Sequence, residues 1–281
     1  MSGIARRSGF VESAGEHLYF ECVGRGDPLV LCHGAGGNHA IWWQQVPVFA
    51  QRFRVITWDH RAFGRSTDRA RESGPTAAVQ DLGAVLDHLG IERTHLVGQS
   101  MGGWTALGFA LARPERVRSL VLADTLGGIS TPEVERQQRE LLSRSGPNPL
   151  AAAAELGRHP AIDDALAERD PARAYLYQLL GAFGEPDLAR IAPRLFATRH
   201  ALDDVRRLRI PLLFVVGERD RLFPPALVQA VAKLLPGARV AEIPGCGHSP
   251  YFEDPAAWNA ALAAFLAQLE PAPGSAQRVG A

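Results

Sequence analysis

A serine flanked by small residues lies where an apolar run meets a helix-forming stretch. Ser100 is the third residue of the segment Gly-Gln-Ser-Met-Gly-Gly at 98–103, which follows the apolar run 94–97. On a tight turn from strand to helix, a serine hydroxyl is exposed and its backbone is strained. Unpaired N–H groups at the start of the following helix can receive a developing negative charge. The pattern therefore predicts a nucleophilic serine.

A serine hydroxyl is a weak nucleophile until a base takes its proton. Among the nine histidines, His248 fits this role best, because it follows the last apolar run in the glycine-rich loop 245–248. His33 is the main rival, but it precedes the glycines of the loop 33–37, and we expect it to hold that loop by hydrogen bonds. The other histidines, His159 among them, lack a supporting pattern and are expected to be structural or exposed.

Together, five segments of the chain resemble the α/β-hydrolase fold superfamily, in its serine-nucleophile branch with a helical lid. They are spread from about residue 10 to about residue 270 and comprise 31–37, 59–66, 98–103, 215–220 and 245–248. The resemblance implies a mostly parallel, eight-stranded sheet flanked by helices, with an inserted helical lid. It says little about the substrate, because this fold carries many chemistries.

A catalytic histidine needs an acid that fixes its tautomer and stabilises its protonated form. Asp220 follows the apolar run 212–216 and stands where members of the superfamily usually carry this acid. Asp124, at the end of the preceding predicted strand, is the alternative, since some members place the acid there. The order serine, acid, histidine is the one expected for a catalytic serine on this kind of turn.

The resemblance also implies which N–H groups would bind the oxyanion of a tetrahedral intermediate. They are the backbone amides of Met101, directly after the serine, and of Ala35 in the loop 33–37. One departure from the family pattern is Ala62, which stands where many relatives have glycine after Arg61. This departure leaves the path of the loop beside the pocket in doubt, but it does not involve the three catalytic candidates.

The elements that must position these residues alternate as expected for a parallel sheet wrapped by helices. After an opening hairpin, apolar runs that predict strands end at residues 32, 58, 97, 123, 217 and 243. The segment 76–89 has helical spacing of its apolar residues.

This alternation breaks between residue 127 and about residue 209, where no strand-like run occurs and prolines divide helical stretches. We therefore predict an α/β core of residues 1–126 and 208–270, a helical lid at 127–207 and a flexible tail at 271–281.

Aromatic residues cluster near the expected pocket, and four of them are predicted to contact the substrate. These are Trp42, Phe223 and, in the predicted lid, Phe183 and Phe196. Because aromatic residues also fill ordinary cores, Trp104 on the helix after the serine is expected to be a core residue.

Composition narrows the range of partners. Acidic and basic residues balance at 30 each, so no global field favours nucleic acid or an anionic membrane. The cysteines, Cys22, Cys32 and Cys246, indicate neither a disulfide framework nor a zinc site. No apolar run reaches membrane-spanning length, and the N-terminus lacks a secretory pattern. We expect a cytoplasmic protein with a small-molecule substrate, no cofactor or metal, and no nucleic-acid or membrane partner; a homodimer remains open.

Ser100, His248 and Asp220 predict a cofactor-free serine hydrolase that cleaves a small, largely apolar ester or lactone through an acyl-enzyme intermediate. Hydrolases of carbon–carbon bonds in vinylogous diketones use the same triad, but Ser249 stands where we expect tryptophan in those relatives. A perhydrolase related to cofactor-free haloperoxidases is also compatible. In a different class, so is a ligand receptor that keeps the triad.

Overall fold

A central sheet of eight strands organises the protein. The structure is a computed structural model that describes residues 4–145, 158–184 and 186–269. The strands of the sheet are β1 (Arg6–Ser13), β2 (Glu16–Val23), β3 (Asp27–Cys32), β4 (Phe53–Trp58), β5 (Thr94–Gln99), β6 (Val117–Ala123), β9 (Leu212–Gly217) and β10 (Arg239–Ile243). Their order in the sheet is β1-β2-β4-β3-β5-β6-β9-β10.

Most neighbouring strands of this sheet are parallel. The pairs β1–β2 and β2–β4 are antiparallel, and every pair from β4 to β10 is parallel. The opening hairpin turns at Ala14 and Gly15, whose φ angles of 48° and 80° are those that a tight two-residue hairpin requires. The eight-stranded, mostly parallel sheet expected from the sequence is confirmed.

Helices cover both faces of the sheet, which explains why its central strands are continuous apolar runs. All six residues of β5 are buried, as are all six of β9. The helices outside the inserted segment are α1 (Val46–Phe49), α2 (Pro75–His88), α3 (Met101–Ala112), α9 (Pro225–Ala232), α10 (Pro250–Glu253) and α11 (Pro255–Ala267). Two hydrophobic clusters result, one with Leu82, Phe109 and Phe214 and the other with Trp258 and Phe265.

The segment between β6 and β9 is mainly helical in its described part. It contains α4 (Pro132–Ser145), α5 (Asp164–Arg169), α6 (Pro171–Gly181), α7 (Leu188–Ala197) and α8 (Leu202–Arg207). It also contains the strands β7 (Ile129–Ser130) and β8 (His200–Ala201), which pair in parallel. The sequence did not predict these strands, because two residues are too short to show an alternating pattern. The predicted tail 271–281 lies outside the described residues.

Two further expectations concern the chain as a whole. In the described ranges, no helix is both long enough and apolar enough to cross a membrane. The three cysteines are buried free thiols.

Candidate active site

Ser100 occupies a sharp turn between β5 and α3. Its φ of 48° and ψ of −118° are strained for a residue with a side chain. The amide of Ser100 donates to the carbonyl of Ala123 on β6 at 2.9 Å, which fixes the turn to the sheet. A Cβ at Gly98 would lie 2.4 Å from the carbonyl oxygen of Gly102, and one at Gly102 would lie 2.2 Å from that of Cys32. The turn can form only because these positions lack side chains.

A continuous chain of hydrogen bonds joins the three catalytic candidates. Ser100 Oγ lies 2.9 Å from His248 Nε2, and His248 Nδ1 lies 2.9 Å from Asp220 Oδ2. The other carboxylate oxygen of Asp220 accepts the amides of Leu222 at 2.8 Å and Phe223 at 3.0 Å. The carboxylate therefore fixes the imidazole with its proton on Nδ1, which leaves Nε2 free to accept the serine proton. The three residues follow the carboxyl ends of β5, β9 and β10, which meet at one edge of the parallel sheet.

Asp124, the alternative acid, lies close by but does not contact the histidine. Its amide donates to Val215 at 2.7 Å, and its Oδ1 accepts the amide of Gly217 at 3.0 Å. Its Oδ2 is buried and has no partner among the described residues. Burial and, after it, the charge of Asp220 raise the pKa of Asp124 well above its usual value. The geometry thus places Asp220, and not Asp124, against His248.

The two amides expected to bind an oxyanion belong to different elements beside the serine. Met101 is the first residue of α3, where amide N–H groups have no partner within the helix. Ala35 follows Gly34, and a Cβ at Gly34 would lie 3.0 Å from Ser100 Cβ. The loop that carries Ala35 therefore passes directly beside the nucleophile. The role of both amides stays a prediction.

Two buried imidazoles, those of His33 and His60, support the loop 33–37 by hydrogen bonds. His33 Nδ1 donates to the carbonyl of Gly34 at 2.8 Å, and His33 Nε2 accepts both the amide and the ring N–H of His60 at 3.0 Å. His60 Nε2 lies 3.0 Å from the hydroxyl of Thr105, which can donate to it. Burial lowers the pKa of His33 to about 4 and that of His60 well below its usual value. Both rings are neutral, and both nitrogens of His33 are occupied by structural hydrogen bonds, as expected for a residue that holds the loop.

Sequence reasoning missed Glu253, whose carboxylate fixes the loop around His248. Glu253 Oε2 accepts the amides of Gly247 at 2.9 Å and Asp163 at 3.0 Å, and Oε1 accepts that of Ser249 at 3.1 Å. The bonds from Gly247 and Ser249 lie on either side of His248, and the bond from Asp163 joins Glu253 to the inserted segment. The one available signal was an acidic residue in the otherwise apolar short helix 250–253.

Aromatic rings extend from His248 towards the inserted helices. The ring of Phe223 stacks on that of His248, with centroids 5.9 Å apart and planes 17° apart. Trp104 contacts Phe223 edge to face at 6.3 Å and Phe196 at 6.3 Å. The structure thus brings Phe223 to the site directly and Phe196 to it through Trp104, which is buried as expected.

Trp42 and Phe183, which were also predicted to contact the substrate, have very different surroundings. The indole of Trp42 is fully buried and packs on Tyr251 and Trp258 in the hydrophobic core. Phe183 is 60% exposed, and its carbonyl accepts the amide of Gly64 at 3.0 Å. The contact of either residue with a substrate stays a prediction. Sequence placed both residues near the site but could not tell which way their side chains point.

Helix α6 of the inserted segment covers the loop beside Ser100. Tyr177 Oη lies 3.0 Å from Ser249 Oγ, next to His248. The same Oη would lie 3.1 Å from a Cβ at Gly36. Asn38 Nδ2 donates to the carbonyl of Leu180 at 2.7 Å. The helix is therefore fastened to both loops that flank the nucleophile.

Comparisons with known proteins agree with this architecture. The family model described as the alpha/beta hydrolase fold matches residues 27–169 and 174–255. The curated protein named "Putative carbamate hydrolase RutD" from Azorhizobium caulinodans is 33% identical over 266 residues, which cover 90% of this chain and 96% of that protein.

Solved structures give the same result. A thermophilic esterase from Thermogutta terrifontis superposes with a TM-score of 0.80 at 27% identity, over 94% of this chain and 100% of that chain. The enol-lactonase from Burkholderia xenovorans LB400 superposes with a TM-score of 0.74 at 25% identity, over 92% of this chain and 100% of that chain.

Proposed function

Because this chain belongs to the alpha/beta hydrolase fold family and is a hydrolase of that type, we propose that it is a cofactor-free serine hydrolase of small, largely apolar esters or lactones. The observation that carries the proposal is the chain of contacts from Ser100 Oγ through His248 to Asp220, each 2.9 Å long. This is the arrangement that activates a serine for attack on an acyl group.

In the proposed first half-reaction, Ser100 Oγ attacks the carbonyl carbon and its proton passes to His248 Nε2. The amides of Met101 and Ala35 stabilise the oxyanion that forms. The carbon–oxygen bond to the leaving group then breaks, and the leaving alkoxide takes the proton from His248. In the second half-reaction, a water molecule attacks the acyl-enzyme and gives its proton to His248. The acid product departs as Ser100 recovers that proton. Asp220 stabilises the imidazolium in both halves.

The aromatic surface beside His248 supports an apolar acyl or alcohol group. Phe223 stacks on His248 and contacts Trp104, which in turn contacts Phe196 on helix α7. Burying an unpaired charge against such walls costs several kcal/mol. Neutral substrates are therefore favoured over carboxylate-bearing ones.

Similar proteins support the ester and lactone classes through their names alone, one being an esterase and another an enol-lactonase. A carbamate hydrolase is the second candidate, because a relative at 33% identity carries that name. A carbamate presents the same kind of carbonyl to the serine, so the same triad could act on it. Only the group beside the carbonyl differs.

Covalent labelling tests the proposal. A fluorophosphonate probe is expected to add one adduct to the folded protein, located on Ser100 by mass spectrometry. Ser100→Ala is expected to abolish labelling and to lower turnover by several decades, on the order of a millionfold if the triad acts as a unit. Ser143→Ala, at an exposed serine on α4, serves as the control. Labelling elsewhere, or turnover near that of the wild type in Ser100→Ala, would overturn the proposal.

A substrate panel then separates the candidate classes. Activated esters, lactones, carbamates and vinylogous diketones of matched size are assayed with the wild type and Ser100→Ala. We expect the highest kcat/KM for an ester or lactone. A clear preference for carbamates would replace the first candidate with the second.

A further inference from the structure

His159, which the sequence marked as structural or exposed, lies in the inserted segment just before α5. The amide of Ala161 donates to its Nδ1 at 3.1 Å. An imidazole nitrogen that accepts a hydrogen bond carries no proton, so in the neutral ring the proton is on Nε2. No described residue accepts a hydrogen bond from this Nε2–H. The half-buried ring therefore presents a free donor.

The position of the ring places this donor beside the loop that passes Ser100. His159 Cε1 would lie 3.6 Å from a Cβ at Gly36, next to the loop residue Ala35. Because Nε2 is bonded to Cε1, the N–H lies beside the same loop. The ring also packs against Tyr177, with centroids 5.1 Å apart. His159 is thus held over the loop that passes Ser100.

Electrostatics keep the ring in this donor form. Burial and, after it, the repulsion of His248 lower the pKa of His159 to about 4. At neutral pH His159 carries no charge, so it can approach a neutral substrate without an uncompensated ion.

We propose that His159 donates its Nε2–H to a second oxygen of the bound substrate, and that it thereby selects esters and lactones that carry a hydrogen-bond acceptor besides the scissile carbonyl. This inference rests on the proposed function. The amides of Met101 and Ala35 are assigned to the scissile carbonyl and His248 to the leaving group, so the donor of His159 remains for another atom. A purely hydrocarbon chain at this place would displace water and leave the N–H unpaired, which disfavours binding.

Isosteric substrates test this selection. The probes are p-nitrophenyl hexanoate and three analogues in which an ether oxygen replaces the CH₂ at position 3, 4 or 5. Rates are divided by those of alkaline hydrolysis, which removes the inductive effect of the oxygen. We expect the wild type to prefer at least one ether over the hexanoate by about tenfold in kcat/KM, the size of one polar group left unpaired.

Variants at position 159 identify the donor. His159→Phe keeps a ring against Tyr177 and is expected to reduce the ether preference to about one. His159→Gln, which retains an N–H donor, is expected to keep part of it. His17→Phe, at an exposed position on β2, should leave the preference unchanged. Thermal melting and fluorophosphonate labelling of Ser100 check that each variant is folded and its serine is active.

Three results would overturn the proposal: no ether preference in the wild type, an unchanged preference in His159→Phe, or an equal loss for all four esters. The last would mean that His159 acts on the scissile carbonyl or on the fold. If His159→Phe prevents folding, an unchanged preference in His159→Leu overturns the proposal in its place. Absence of labelling at Ser100 in the wild type would instead reject the proposed function. The failure of the His159 proposal and the failure of the proposed function are therefore distinguishable.

Discussion

Arg61 and Asp81 form a buried ion pair in which the guanidinium Nε and Nη2 each lie 2.7 Å from a carboxylate oxygen. Their side chains are 2% and 0% exposed. Ser13 also donates to this carboxylate, at 2.7 Å. The pair fixes the loop after β4 to helix α2. Because His60 precedes Arg61, it also fixes the imidazole that supports His33 and the loop beside Ser100.

Breaking this pair should destabilise the protein strongly. Asp81→Ala leaves the guanidinium of Arg61 buried without a counter-charge, and we expect the free energy of unfolding to fall by about 3–5 kcal/mol. The control is Asp203→Ala, whose partner Arg206 and own side chain are exposed, with an expected loss of about 0–1 kcal/mol. Denaturant unfolding measures both. Similar losses in the two variants would contradict the distinction between buried and exposed pairs.

Glu253 should affect both stability and turnover. Glu253→Ala leaves the buried amides on either side of His248 without acceptors, at about 1–3 kcal/mol for each group. We expect unfolding to be easier by about 3 kcal/mol and kcat to fall at least tenfold, as His248 loses its fixed position. Glu92→Ala, at an exposed position, should change stability by less than about 0.5 kcal/mol. A loss of stability with kcat intact would show that Glu253 does not position the histidine.

The two candidate acids should respond very differently to the same change. Asp220→Asn is expected to lower turnover about ten-thousandfold with the fold retained, because an amide would hold the wrong tautomer of His248. Asp124→Asn should be much milder, since Asp124 does not contact the imidazole. Circular dichroism and kcat measurements on both variants check this. The reverse ranking would assign the acid to Asp124.

Asp124 should also leave a signature in the pH dependence of stability. Its pKa is raised in the folded protein by burial and by Asp220, and Glu253 adds a smaller repulsion. A carboxyl with a raised folded pKa contributes stability that is complete below the unfolded value near 4 and is lost as pH rises towards the folded value.

Asn cannot ionise, so the unfolding free energy of Asp124→Asn minus that of the wild type should increase between pH 4.5 and pH 8. Ser143→Ala, at an exposed position without an ionisable group, should show no such trend. Urea unfolding at several pH values gives the comparison. A flat difference would mean that Asp124 is already charged in the folded protein.

Whether a feature could be predicted from the sequence depends on how far apart in the chain its interacting residues lie. The sheet was predictable because each buried strand is an apolar run between turn residues. The turn at Ser100 was predictable because the small residues that it requires are close neighbours of Ser100 in the sequence. The contacts of Glu253 and His159 were not, because they join segments that only the fold brings together. The same holds for Trp42, since a helical or turn position does not tell which cluster a side chain enters.

Ala62 shows an intermediate case. The sequence marked it as a departure from glycine, and the structure gives it a φ of 71°, in the left-handed region that favours glycine. The backbone here has the conformation that glycine favours, although the residue is alanine. The strain concerns a single residue, but the positive sign of its φ angle is seen only in the structure.

Two of the four aromatic residues predicted to contact the substrate, Phe223 and Phe183, form a matched pair with opposite expectations. Phe223 stacks on His248 and is 8% exposed, whereas Phe183 is 60% exposed. Phe223→Leu removes the flat surface against the imidazole, so we expect kcat to fall severalfold and the ranking of esters by chain length and ring size to change. Phe183→Leu should change stability by less than about 0.5 kcal/mol and leave the ranking intact. The measurement is kcat/KM across such an ester series, with melting temperatures as the check on folding. Equal effects of the two substitutions would show that the contact with His248 is not what makes Phe223 part of the site.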